Sequence, residues 1–300
     1  MTPYVPEDFD QFWAEVVEEA RAVPLDFRRS RRNDFVLDGF FVETIWFQSV
    51  QGRTVEGWLA IPRDGEVFPG FVWSPPYGRE SLLPNRYGTR AGMVSLSLNF
   101  HGHGAFHQEK YTPTRGYFAD GADDPNTWVF RRMFQDAFIA ARVLEAQLEV
   151  DERQIAAMGM SQGAGLSLWL GAHCPIVRAV AADMPFLGAM PDALSRNAYR
   201  YPLKELIDYM ETIPFGRERV LYTISYFDTM NQATRVRVPT LISRGLKDPA
   251  CRPENVQAIY DAVPAADKQL VTYDWGHDWH PDMVENNRDF VLRALKSELS

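Results

Sequence analysis

Cysteine is scarce in this chain of 300 residues, which contains only Cys174 and Cys251. Two thiols do not make a disulfide framework, and no Cys/His spacing resembles a zinc site. Free cysteines in proteins are most often simply buried. The sequence therefore predicts two separate, reduced thiols.

Long apolar runs are also missing, and positive charge is in deficit. No stretch approaches the ~18 uninterrupted apolar residues that a membrane helix needs. The first residues, MTPYVPEDFDQFW, lack the basic and apolar regions of a signal peptide. The formal charge of −9 argues against nucleic acid as a partner, because binding phosphates needs a basic surface. We therefore expect a cytoplasmic protein that binds neither membranes nor nucleic acid.

What the chain does contain is an alternation of short apolar runs and helical patterns. The runs predict buried strands at 70–74, 93–100, 154–159, 177–183, 240–245 and 269–275. The helical patterns lie at 129–148, 164–173, 254–262 and 281–299. Such an alternation implies right-handed βαβ crossovers and a mostly parallel, twisted sheet covered by helices on both faces. We expect one α/β domain over residues 1–300.

Three segments depart from this alternation. Apolar residues spaced by three and four predict an amphipathic helix within 6–22. Residues 39–62 are rich in Phe, Val, Ile and Trp and are broken at Gln51-Gly52, which predicts antiparallel strands joined by a tight turn. Residues 185–232 show helices without strands, so we expect a helical insertion, or cap, after strand 177–183.

The segment GMSQG at 159–163 matches the pattern G-x-S-x-G. An apolar strand pattern enters it and an Ala/Leu-rich helix leaves it, which is the setting of a serine nucleophile. Glycines two positions before and after the serine let the strand and helix backbones pass closely. The hydroxyl then lies over a helix N-terminus, where negative charge is favoured. This predicts Ser161 as a nucleophile; the alternative is a turn whose serine is only a helix cap.

The partners of such a serine follow in the chain order serine, acid, histidine. Asp248 and His277 each come directly after a predicted strand, where a loop presents the side chain. Asp183 also ends a strand and is the alternative acid. Asp274 is expected within its strand, too near the histidine in sequence to fold back onto its ring. We predict that His277 is the general base and that Asp248 orients it.

Three further histidines, His101, His103 and His107, lie close together in the sequence. They suggest either a metal cluster or a strand-end loop beside the active site. No carboxylate or cysteine completes a ligand set nearby at a recognised spacing, which favours the loop. Acyl transfer through a serine requires no metal or organic cofactor, and we expect none.

An oxyanion hole needs two backbone N–H groups. Gln162 directly follows the nucleophile and is expected to supply one of them. The loop after strand 70–74 reads SPPYG, and its two prolines have no N–H. Tyr77 is therefore the first available second donor, and its ring would also wall the acyl site.

Segments along nearly the whole chain resemble the acetyl xylan esterase and cephalosporin C deacetylase family of α/β-hydrolases. They are PEDFDQFW at 6–13, RRMFQDA at 131–137, GMSQG at 159–163, DMPFL at 183–187, SYFD at 225–228 with Asn231, and GLKDP at 245–249. The serine motif and SYFD are the most specific of these.

The resemblance implies an α/β-hydrolase that removes acetyl and other small acyl groups from acetylated sugars, xylo-oligosaccharides and related alcohols. It implies the same triad, Ser161, Asp248 and His277, and the same oxyanion donors, Tyr77 and Gln162. It also implies a homo-oligomer, often a hexamer. A broader carboxylesterase, an acyl-peptidase and a non-catalytic binding protein of the same fold are the alternatives.

The chain departs from the family pattern at three places. His101-Gly102-His103 stands where Arg-Gly-Gln is usual, which removes a guanidinium that could have tied loops together. His277-Asp278 stands where His-Glu is usual, and keeps the histidine. The resemblance implies an acyl pocket walled by Tyr77, Pro185 and Ala250. Because Ala250 is smaller than the branched residue often found there, we expect propionyl and butyryl esters to be accepted beside acetyl.

Overall fold

Nine strands form one sheet in the computed structural model, which describes residues 4–78, 84–101, 116–197 and 199–297. The strands are β1 Phe27–Arg31, β2 Phe40–Gln48, β3 Thr54–Pro62, β4 Phe68–Ser74, β5 Val94–Asn99, β6 Val150–Met160, β7 Ala179–Asp183, β8 Thr240–Gly245 and β9 Lys268–Tyr273. Their spatial order is β1-β2-β3-β5-β4-β6-β7-β8-β9. Strands β4 to β9 pair in parallel, and the pairs β1–β2, β2–β3 and β3–β5 are antiparallel. The predicted, mostly parallel sheet is confirmed.

Helices cover the sheet on both faces. They are α1 Phe9–Ala22, α2 Val129–Glu145, α3 Gln162–His173, α4 Met190–Asn197, α5 Leu203–Met210, α6 Gly216–Phe227, α7 Thr229–Ala233, α8 Pro253–Ala262 and α9 Pro281–Ser297. Side chains alternate between two cores along the central strands: Val72 joins the larger core, while its neighbours Phe71 and Trp73 join a smaller one beneath α9. This period of two is what a sheet buried on both faces requires.

Four helices, α4 to α7, lie between β7 and β8. They correspond to the helical insertion predicted at 185–232. None of the helices in the described part of the chain has the combination of length and apolar composition that crossing a membrane requires.

The edge strand β1 was not predicted, because its sequence FRRSR has no apolar alternation. Its five residues pair with β2 in the antiparallel sense, and ion pairs support this pairing. The guanidinium of Arg29 lies 2.7 Å from the carboxylate of Glu43 on β2 and 2.9 Å from that of Glu149. Ion pairs can therefore support an edge strand that a hydrophobic pattern does not reveal.

Two of the segments that resemble the esterase family dock on each other. The carboxylate of Asp8 accepts a hydrogen bond from the Tyr226 hydroxyl at 2.6 Å, and the Trp13 indole donates to the Tyr226 carbonyl at 3.1 Å. The Asn231 amide donates to the Ser225 carbonyl at 2.8 Å. The N-terminal segment and SYFD thus join α1 to the end of the helical insertion.

Candidate active site

Ser161 lies at the turn between β6 and α3, with φ +56° and ψ −117°. A positive φ is uncommon and strained for a residue with a side chain, and such strain persists only where the surroundings impose it. Here the N–H of Ser161 donates to the Asp183 carbonyl at 2.9 Å, and its own carbonyl accepts from the Phe186 N–H at 2.9 Å. The end of β7 therefore holds the serine in its turn.

The two glycines of the motif allow the close approach that the sequence predicted. A Cβ on Gly163 would lie 1.9 Å from the Ser74 carbonyl oxygen, and one on Gly159 would lie 2.5 Å from the backbone of Gly163. No side chain fits in either place. The loop that follows β4 is consequently pressed against the first turn of α3.

Three predicted side chains form a continuous hydrogen-bonded chain. The Nε2 atom of His277 lies 3.0 Å from the Oγ atom of Ser161, and its Nδ1 atom lies 2.7 Å from an oxygen of Asp248. Because a carboxylate oxygen can only accept here, Nδ1 carries the ring proton and Nε2 is left to accept the serine proton. This arrangement can activate a serine hydroxyl.

The Asp248 carboxylate is fixed on both sides. Its side chain is fully buried, and its other oxygen accepts from the N–H groups of Ala250 at 2.7 Å and Cys251 at 2.8 Å. These bonds leave the carboxylate little rotational freedom. The imidazole is thereby aimed at the serine.

The alternative acid, Asp183, is occupied elsewhere. Its carboxylate accepts hydrogen bonds from Ser243 and Asn287, each at 2.7 Å, and from Tyr87 at 3.2 Å. Burial raises the pKa of Asp183 above its ordinary value. Asp274 lies just beyond β9 and pairs with Lys247 at 2.9 Å. The structure brings neither carboxylate to His277.

The proposed oxyanion donors lie on the two segments that meet beside Ser161. Gln162 is the first residue of α3, so its N–H has no acceptor within the helix. Tyr77 follows the loop that is pressed against that helix, and it lines a cavity of about 300 Å³ together with Ser161 and His277. Tyr77 and Gln162 thus remain the expected donors, and they lie on the two segments that meet beside Ser161.

The wall of the cavity is partly apolar and partly polar. Its apolar side includes Tyr77, Met160, Phe186, Leu203 and Ala250, and Arg200 and Asp278 are among its polar residues. Leu203 begins α5, so the helical insertion closes part of the cavity.

Pro185, predicted to wall the pocket, is not among the residues that line this cavity, whereas its neighbour Phe186 is. Positive φ values at Met184 and Leu187 set the course of the chain here. They determine which of the two adjacent side chains reaches the cavity, and a sequence pattern does not reveal such backbone turns.

Asp228, the last residue of SYFD, supports this same segment. Its buried carboxylate accepts from the N–H groups of Ala189 at 3.0 Å, Met190 at 2.8 Å and Met230 at 2.9 Å. Burial raises the pKa of Asp228 to about 6. The aspartate of SYFD therefore fixes the backbone at the start of α4 and of α7, and these hydrogen bonds include none to Ser161, His277 or Asp248.

Three residues near the site were not identified from the sequence as parts of it. Tyr117 and Glu205 are buried and hydrogen-bond to residues of the oxyanion segments. Cys251 is buried beside Asp248, and burial together with that carboxylate raises the pKa of its thiol well above its ordinary value. Tyr117 and Glu205 lie far in the sequence from the residues that they bond, and Cys251 lies outside any motif. No local signal in the sequence therefore identifies these three residues.

Among the described residues, one group has the atoms to hold a metal ion. Ligand atoms of Asp248, Cys251 and His277 lie within 4.8 Å of one another. The hydrogen bond between Asp248 and His277 already uses two of these side chains, so we interpret the group as part of the triad. Of the three histidines for which a metal cluster was the alternative interpretation, His101 is described, whereas His103 and His107 lie outside the described residues.

The family model described as acetyl xylan esterase matches residues 2–296 of the chain. The chain belongs to the acetyl xylan esterase family. This membership confirms the resemblance and the α/β-hydrolase fold, and it places the chain among the carboxylic ester hydrolases.

Individual members of this family are similar over nearly the whole chain. The crystal structure of acetyl xylan esterase 1 from Thermoanaerobacterium sp. JW/SL YS485 has a TM-score of 0.84 at 27% identity, covering 98% of this chain and 95% of that one. The acetyl xylan esterase from Paenibacillus sp. R4 has a TM-score of 0.87 at 25% identity, covering 97% and 96%. Acetyl esterase Axe7A of Xylanibacter ruminicola is 25% identical over 285 residues, which are 91% of this chain but only 64% of that protein.

Proposed function

We propose that this protein is a serine esterase that removes acetyl groups from acetylated sugars, xylo-oligosaccharides or related alcohols. The observation that carries the proposal is the hydrogen-bonded chain from Asp248 through His277 to Ser161, which opens onto a cavity of about 300 Å³. Family membership supports the acetyl ester as the reacting group. Assembly as a homo-oligomer and a cytoplasmic location remain predictions.

In the proposed first step, His277 Nε2 takes the proton of Ser161 while the serine oxygen forms a bond to the ester carbonyl carbon. The negative charge moves to the carbonyl oxygen, where the N–H groups of Tyr77 and Gln162 stabilise it. The tetrahedral intermediate collapses as the bond to the alcohol oxygen breaks. His277 gives its proton to that oxygen, and the sugar leaves.

The second step repeats this chemistry with water. His277 takes a proton from the water molecule while the water oxygen attacks the carbonyl carbon of the acyl-serine. The serine oxygen then leaves, recovers the proton from the histidine, and acetate is released. Asp248 accepts the hydrogen bond from His277 Nδ1 and stabilises the imidazolium that forms in each step.

Substrate preference tests the proposal. We expect release of acetate from acetylated xylo-oligosaccharides and from p-nitrophenyl acetate, and no cleavage of N-acetylated peptides. The measurement is kcat/KM for each substrate class at equal enzyme concentration. Faster cleavage of the peptide would favour an acyl-peptidase, and activity on p-nitrophenyl acetate without any on sugar acetates would favour a broader carboxylesterase.

By the proposal, the size of the side chain at position 250 determines how long an acyl group the cavity accepts. The small side chain of Ala250 lines the cavity, and each buried methylene contributes about 0.8 kcal/mol. We expect the wild type to accept propionyl and butyryl esters, and Ala250→Ile to lower kcat/KM for these by roughly 10–200-fold relative to acetyl. The measurement compares three acyl esters of one leaving group.

Ala258→Ile on α8 is the matched control, because Ala258 is partly buried but does not line the cavity. It should leave the ratio of acetyl to butyryl activity unchanged. A wild type restricted to acetyl, with a ratio that Ala250→Ile does not alter, would show that this position does not set the pocket.

A further inference from the structure

The hydroxyl of Tyr117 lies between the two segments that carry the proposed oxyanion donors. It accepts a hydrogen bond from the N–H of Gly78 at 3.2 Å and donates one to the side-chain oxygen of Gln162 at 2.8 Å. Gly78 is the neighbour of Tyr77, and Gln162 carries the other donor on its own backbone. One buried phenol thus bonds to both sides of the oxyanion hole.

The ring of Tyr117 is held by two other rings. His101 stacks on it with ring centroids 3.8 Å apart and an angle of 28° between planes. The ring of Tyr77 packs against it at 5.1 Å and 40°. His101 stands where the family usually has arginine. In this chain the imidazole of His101 therefore stacks on Tyr117, in place of a guanidinium that could have tied the loops together.

A second connection joins the same segments through the helical insertion. Glu205, a buried residue of α5, accepts hydrogen bonds from the Tyr77 hydroxyl and from the N–H of Phe118 at 2.9 Å. Residues 117 and 118 therefore bond to the Tyr77 loop both directly and through Glu205. The oxyanion loop is thus held by α5 as well as by residues 117 and 118.

We infer that Tyr117 is a positioning residue that sets the separation between the N–H groups of Tyr77 and Gln162. It is not among the residues that line the cavity, so its effect must pass through the two donors. Oxyanion donors stabilise a transition state only when they are fixed in advance at hydrogen-bond distance from the developing charge. The inference rests on the proposed esterase function and specifies how its oxyanion hole is held.

The test replaces only the hydroxyl, with Tyr117→Phe. We expect kcat for p-nitrophenyl acetate to fall by about 10–100-fold, less than the 10²–10³-fold that removing an oxyanion donor costs, while KM changes by less than about threefold. Tyr209→Phe is the matched control. It also removes a hydroxyl bond, to Asp123 at 2.6 Å, but not beside the cavity, and it should leave kcat within about twofold of wild type.

A boronic acid provides the measurement that a general loss of stability would not change. Its tetrahedral adduct with the serine places an oxygen in the oxyanion hole. Its Kd should rise in Tyr117→Phe by the same factor as kcat/KM falls. Gln162→Met, which keeps the backbone N–H but removes the acceptor, should make the added effect of Tyr117→Phe smaller than it is in the wild type.

Fluorophosphonate titration counts the competent serines in each variant, so that rates refer to active enzyme. Values of kcat and boronate Kd within twofold of wild type in Tyr117→Phe would overturn the inference. So would a fall in kcat with unchanged boronate affinity, because that result would place the effect outside the oxyanion hole. Failure of the proposed function itself would look different, since the wild type would then release no acetate.

Discussion

Ser161→Ala is expected to abolish covalent labelling by a fluorophosphonate and to lower kcat for acetyl esters by roughly 10⁶-fold. Ser161 lines the cavity, and its hydroxyl oxygen is the proposed nucleophile at the end of the hydrogen-bonded chain. Without it, His277 has no proton to take and no acyl-enzyme can form. Intact-mass measurement of the labelled protein and initial rates on p-nitrophenyl acetate check both parts.

Ser167→Ala, on the helix that directly follows Ser161, is a matched control. Ser167 is also buried, but its hydroxyl donates to the Gly163 carbonyl at 2.9 Å. Its removal should leave labelling intact and change kcat only slightly. Labelling that persists at full stoichiometry in Ser161→Ala would place the nucleophile elsewhere.

Asp248→Asn should lower kcat by roughly 10⁴-fold with little change in structure. An amide nitrogen facing Nδ1 donates a hydrogen bond, so it favours the tautomer with the proton on Nε2. That tautomer cannot accept the serine proton. Rates are measured per serine titrated by fluorophosphonate, and near-UV circular dichroism checks the fold.

Asp183→Asn is the natural comparison, because it alters a buried carboxylate that bonds to Ser243, Asn287 and Tyr87. We expect it to lower the free energy of unfolding while leaving the rate per active serine close to that of the wild type. An inactive Asp183→Asn beside a fully active Asp248→Asn would show that the acid assignment is wrong.

The proximity of Ser161, His277 and Asp248 could be predicted because its signals are local. Ser161 lies in a short glycine motif, and Asp248 and His277 follow apolar runs that the structure shows as β8 and β9. The carboxyl ends of parallel strands meet at one edge of a sheet, so chain order was enough to bring the three together. The helices of the insertion were likewise visible from their periodicity.

The support behind the site could not be predicted in this way. The bond from Tyr117 to Gln162 joins residues 45 positions apart, and that from Tyr77 to Glu205 joins residues 128 positions apart. Neither pair has a fixed spacing that a motif could record. Phe186 lines the cavity where Pro185 was predicted. This difference depends on positive φ values at Met184 and Leu187, which non-glycine residues rarely adopt.

The docking of α1 on α6 affects how the chain can fold during its synthesis. The Trp13 indole bonds to a carbonyl 213 residues further along, and Phe9 stacks on the Tyr226 ring. At about 5–20 residues per second, a ribosome needs roughly 10–40 s to make that interval. Through this time the aromatic face of α1 lacks its partners on α6, so the emerging chain exposes apolar surface that favours aggregation until α6 has been made.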